Sequence, residues 1–127
     1  MVGMAYIPAN AKWWLADLIV EFTIEGEDAK DVHYNLTLIR ADSAEEAYTK
    51  ATRLGVQHEV TYTNTDGRAV EVHFRGLRDL MVIHDEIEDG AELLYEEESK
   101  VSEDHILAAV KPKHKLSVFE PYDPSHA

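Results

Sequence analysis

Residues 41–55 read A-D-S-A-E-E-A-Y-T-K-A-T-R-L-G. Ser43 has the character of a helix N-cap, and Glu46, three positions on, completes a capping box. Gly55 stands where a helix would close through a left-handed residue. On a helical wheel Ala44, Ala47, Tyr48, Ala51 and Leu54 fall on one stripe, with Glu45, Glu46, Thr49, Lys50 and Arg53 opposite. Three of the five stripe residues are alanines, so this helix can lie very close to whatever it covers. The flanking segments alternate like strands, which makes a sheet the expected neighbour.

Working outward, residues 13–24 alternate strictly. Trp14, Ala16, Leu18, Val20, Phe22 and Ile24 commit one face to a core, and Trp13, Leu15, Asp17, Ile19, Glu21 and Thr23 occupy the other. A polar turn at 25–31 leads to a second strand at 32–40. Its pattern predicts Val32, Tyr34, Leu36 and Leu38 inward, with His33, Asn35, Thr37 and Ile39 outward. Beyond the helix, 56–63 resumes alternation with Val56, His58, Val60 and Tyr62 on the inward set, and Asn64–Gly67 forms a hairpin loop. Val70, Val72 and Phe74 point inward from a strand at 68–75. Gly76 shifts the phase as a bulge or bend would, and 77–83 reads as a fifth strand. Ala91, Leu93 and Tyr95 suggest a sixth, and Ser102 caps a short helix that stops before Pro112. The expected fold class is therefore α+β: an antiparallel β-sheet of five to six strands with one main helix, 43–54, packed on one face. The order is β-β-α-β-β-β-β, with a short C-terminal helix. Residues 1–127 form a single domain in this reading, with an irregular leader (1–12), a globular core (13–111) and a partly disordered tail (112–127).

The chain carries 12 Lys and Arg against 25 Asp and Glu, a net charge of −13. A field of that sign repels phosphate backbones and anionic membranes, so nucleic acid and membrane are not expected partners. The absence of cysteine removes disulfides, zinc thiolate clusters and thiol nucleophiles. No signal peptide or membrane span is visible, and the expected location is cytoplasmic.

Several short motifs stand in this order: Trp14-Leu15-Ala16, the run Leu38 to Ala47, Leu54-Gly55, Asn64-x-x-Gly67, Phe74-x-Gly76-Leu77-x-x-Leu80 and Asp89-Gly90-Ala91-Glu92-Leu93. With them, residues 13–95 resemble a bacterial family catalogued as domain of unknown function 4288. The resemblance implies a fold unit and no activity, so no catalytic residue follows from it.

His33 and His73, with Glu21 or Glu71, would meet across the sheet if both lie on its outer face. The chain nonetheless lacks the close histidine spacing of a metal site, and no metal or other cofactor is expected. His58 reads as a core histidine. A hot-dog-like enzyme or small-molecule binder, with a pocket between helix and sheet near Trp14, Tyr48 and Tyr62, is the alternative function. It lacks a carboxylate paired in a cleft for general acid–base work. The acidic run 85–98 reads as a solvated strand edge rather than a mimic of nucleic acid. The remaining anomaly is apolar: Trp13, Leu15 and Ile19, joined by Ile39, make a patch on the outer face. Either the C-terminal segment 106–119 or a second copy of the chain would cover it. The expected function is thus a non-enzymatic binding or interaction module that self-associates, a homodimer with room for a further protein partner.

Overall fold

Alternation from Trp13 onward forms one long strand, β1 (Trp13–Ile24), and the turn that holds Gly26 at φ 84° returns the chain as β2 (Lys30–Arg40). This computed structural model describes residues 6–121. The helix α1 (Ala44–Val56) follows, then β3 (Val60–Thr63), β4 (Ala69–Val82) and a short helix α2 (Glu103–Ala109). The four strands make one antiparallel sheet in the order β2-β1-β4-β3. By its contacts the chain divides into two compact units, one ending at Tyr95 and one beginning at Glu96.

Ser43 caps α1 as read, its hydroxyl accepting from the Glu46 amide at 3.1 Å. The stripe that α1 buries is Ala47, Ala51 and Gly55, flanked by Leu54, while Ala44 and Tyr48 stay exposed. Gly55 is not a left-handed cap. It lies within the helix, where a Cβ would collide with the Phe74 ring. Three small residues at i, i+4 and i+8 therefore bring the helix backbone onto the sheet. Against them pack Trp14, Ala16, Leu18 and Ile39, with Phe74, Leu77, Leu80 and Val82 at the margin. The Trp14 indole N–H donates to the Ala41 carbonyl at 3.0 Å, so the core's largest side chain leaves no polar atom unpaired. Val20, Val70 and Val72 continue this face beyond the helix, with Phe22 and Ile24 packed beside them.

The strand count differs from the expectation of five to six. Residues 68–75 and 77–83 are not two strands: β4 runs unbroken through Gly76, which takes φ 130°. Its pairing with β1 slips twice, once between Asp17 and Leu18 and once between Ile19 and Val20. Each slip is a bulge that leaves one extra residue on β4 while keeping the strand in the ladder. No sixth strand forms at 91–95. Consecutive side chains there, Leu93 and Leu94, line the same groove, which an alternating strand would not allow.

The faces of β2 are reversed relative to the sequence pattern. Trp14 pairs with Ile39, so Ile39 points into the helix-covered core and is 1% exposed. Val32, Tyr34, Leu36 and Leu38 consequently stand on the other face, and all four are exposed. His58 lies exposed between α1 and β3, and Val56, Val60 and Tyr62 are exposed as well.

In the second unit α2 is capped by Ser102, whose hydroxyl accepts from the His105 amide. Residues Lys113–Lys115 and Ser117–Phe119 form two short 3-10 turns. Of the leader and tail expected to be irregular, 1–5 and 122–127 lie outside the described residues. Among the described residues no helix is long and apolar enough to cross a membrane.

Candidate functional site

The face of the sheet away from α1 carries the chain's unusual chemistry. Successive cross-strand rows stack along it: Leu15 between Leu38 and Met81, Asp17 between Leu36 and Asp79, Ile19 between Tyr34 and Gly76, and Glu21 between Val32 and His73. Leu15 is 7% exposed although it lies on the side without a helix. The segment after β4 folds back there, and Leu15, Leu36, Leu38, Ile87, Leu93 and Leu94 line an apolar groove of about 390 Å3.

Two carboxylates sit in the middle of this face, and both are buried. A buried charge is costly unless paired, and the β4 bulges supply the partners. The extra residues they leave are Arg78 and Arg75. The Nε of Arg78 donates to Asp17 Oδ2 at 2.8 Å, and Arg75 donates to Glu21 Oε2 at 2.9 Å. Lys30 adds a contact to Glu21 Oε1 at 2.8 Å. Hydrogen bonds from Lys30 and then Arg75 hold the Glu21 carboxyl below its ordinary range. The Arg78 guanidinium also lies 3.8 Å over the Tyr34 ring, a cation–π contact that fixes an aromatic side chain on β2. Asp17 Oδ1 is buried without a hydrogen-bond partner.

Sequence-predicted site residues separate between the two faces. Trp13, Leu15 and Ile19 lie on the outer face, Trp13 with Arg40 stacked 5.4 Å from its ring. Ile39 does not join them, for the register reason given above. His33 pairs with Val20 on the helix side and packs on Phe22 at 4.5 Å, whereas His73 pairs with Glu21 on the outer side. The two histidines cannot share a ligand, and among the described residues no three His, Asp or Glu side chains converge in metal-binding geometry. Trp14 is fully enclosed, while Tyr48 and Tyr62 are exposed, so the three do not form a cleft beneath α1. That contact is closed by Ala47 and Ala51, each 0% exposed.

Sequence reading missed Val32, Tyr34, Leu36 and Leu38 as outer-face residues, and missed the two arginines. The spacing Arg75-x-x-Arg78 around Gly76 was the available signal, because buried Asp17 and Glu21 on β1 demand cations at a comparable separation.

The family comparison closes on the same unit. The model for a domain of unknown function, DUF4288, matches residues 13–95, from the first residue of β1 to the last residue of the first compact unit. The chain belongs to that family. No curated protein and no solved structure matches it. The DUF4288 unit thus contains the whole four-stranded sheet, α1 and both arginine-bearing bulges.

Proposed function

We propose that the chain is a non-enzymatic interaction module that self-associates through the sheet face opposite α1. The observation that carries this reading is the row Val32, Tyr34, Leu36 and Leu38, each between 42% and 58% exposed and adjoining Leu15 on one face. Keeping four such side chains wet costs on the order of 1 kcal/mol each, and contiguous apolar surface of this kind marks an interaction site. Trp13 and Ile19 border the row. A homodimer would have to overcome the repulsion of two chains of charge −13, so added salt should tighten it by screening. Light scattering on the parent, on Trp13→Asp and on Leu38→Asp tests this. The parent should shift from monomer toward dimer with concentration and salt. Leu38→Asp should stay monomeric, and Trp13→Asp, at the border of the row, should weaken the dimer less. A parent that stays monomeric at high concentration and high salt ends the self-association reading.

A second reading rests on the apolar groove between Leu15, Leu36, Leu38, Ile87, Leu93 and Leu94, whose volume suits a small apolar molecule. It replaces a pocket beneath α1, which the packed alanines leave no room for. An apolar dye that binds the groove and leaves the dimer intact would favour it.

A further inference from the structure

The outer-face row lies on an edge strand, and the hydrogen bonding of that edge points to how two copies meet. The Ala41 amide donates to the Lys12 carbonyl at 2.9 Å, and the β1–β2 register runs without a break from that end, Trp13 opposite Arg40. Bonded pairs alternate along an antiparallel ladder. The odd-numbered residues of β2 therefore spend their N–H and C=O groups on β1. The even-numbered residues turn theirs outward, and these same residues carry Val32, Tyr34, Leu36 and Leu38. At one end of the strand the Arg40 carbonyl is taken by the Lys50 ammonium at 2.8 Å. From Val32 to Leu38 the outward groups have no hydrogen-bond partner among the described residues.

Natural edge strands are protected by charge, proline, bulges or brevity. β3, the other edge, is four residues long. β2 is eleven residues long, and Val32 to Ile39 contains no Asp, Glu, Lys, Arg or Pro. Its only formal charges are Lys30 and Arg40 against Asp31, so this edge is slightly cationic in a chain of net charge −13. A second copy meeting this edge encounters no excess of acidic side chains on it.

We infer that two copies join β2 to β2 in antiparallel register, with the two-fold axis at Asn35. This rests on the self-association reading above and specifies its geometry. Asn35 is the midpoint of the open stretch from Val32 to Leu38. With the axis there, Tyr34 faces Leu36 of the second copy and Val32 faces its Leu38. From Val32 to Leu38 every outer-face pair is then apolar on apolar, and every outward N–H and C=O finds a partner. At either end of the junction Lys30 faces Arg40 of the second copy. One sheet runs through both copies, with both helices on the same side. The two apolar rows meet to form a single stripe across the junction.

The chain has no cysteine, so one introduced thiol reports this register directly. In it Asn35 faces its own copy as a non-hydrogen-bonded pair, with Cα atoms about 4.5 Å apart, within disulfide reach. Asn35→Cys in the full chain should give a disulfide-linked dimer as the main species under mild oxidation. Thr61→Cys on β3 should not. Leu36→Lys leaves an exposed position and the β1 ladder intact, and it should weaken the dimer at least about tenfold. A parent that dimerises in scattering while Asn35→Cys fails to crosslink and Leu36→Lys has no effect overturns the edge pairing and leaves self-association through another surface. A monomeric parent overturns both.

Discussion

The two faces of the sheet are built from the same strand, yet they are held by different physics. On the helix side β1 contributes Trp14, Ala16 and Leu18 to a dry contact with Ala47, Ala51 and Gly55. On the outer side it contributes Leu15, Asp17, Ile19 and Glu21 to a surface where buried carboxylates meet half-exposed arginines. The helix side is specified by volume, the outer side by charge and an apolar row that the segment after β4 borders only at its Leu36 and Leu38 end. Stability should therefore reside mainly on the first face and interaction on the second.

The strongest way to break that contrast is to overfill the helix side. Ala47 is fully buried, and adding three carbons there by Ala47→Leu should cost about 3 kcal/mol or abolish folding. Gly55→Ala sharpens the point by its sign. At an ordinary helical position the exchange stabilises by roughly 1 kcal/mol. Here the new methyl would meet the Phe74 ring, so the protein should lose stability instead. Urea denaturation of both variants decides it, and a stabilised Gly55→Ala protein would mean that α1 does not sit on β4 as closely as described.

How far the sequence shows this division depends on where the local signals agree. The N-cap at Ser43, the alternation of β1 and the inward set Val70, Val72 and Phe74 were legible because each depends on neighbours in the chain. The faces of β2 were not. Val32, Tyr34, Leu36 and Leu38 outnumber Ile39 as apolar residues, so pattern alone turns the larger set inward. The pairing with β1 decides otherwise, since Trp14 must oppose Ile39, and a strand's faces follow its register. The same holds for Gly76, which reads as a strand break because its tolerance for positive φ is local, whereas the bulges beside it exist to aim Arg75 and Arg78 at carboxylates on another strand. Gly55 is the third case: a cap by position, a packing residue by what Phe74 occupies.

A smaller effect is expected on the outer face when Arg78 is removed. Asp17 would keep a buried carboxylate with no cation beside it, and Tyr34 would lose the guanidinium stacked on its ring. Because the Arg78 side chain is about half exposed, solvent replaces part of the pairing, and Arg78→Ala should cost about 1–2 kcal/mol. Asp17→Asn in the same chain should recover part of that loss by removing the orphaned charge. Denaturation of the single and double variants measures this as a coupling. Purely additive losses would show that the pair does not act as a unit and that packing alone holds this face too.

The smallest effect is the dependence of the outer face on acid. Lys30 and Arg75 hold the Glu21 carboxyl below its ordinary value near 4.5, so the folded state binds that proton less readily than the unfolded chain. The sign follows from linkage. The contribution of Glu21 to stability is fully present above the ordinary value and is lost as pH falls through the depressed folded value. Glu21→Gln lacks the titrating group and keeps the shape. The parent should therefore be the more stable protein at neutral pH, with the difference shrinking once the pH drops below about 4.5. The other carboxylates titrate in both proteins and largely cancel in the difference, including Asp42, which Lys12 depresses in the same direction. No such closing gap is expected for Ala47→Leu, whose cost is one of volume and carries no proton. Denaturation midpoints of the three proteins from pH 7 down to pH 3 test the contrast between the faces directly. A gap between parent and Glu21→Gln that stays constant across that range would mean that Lys30 and Arg75 do not bind the Glu21 charge in solution. The outer face would then be held, like the helix side, by packing.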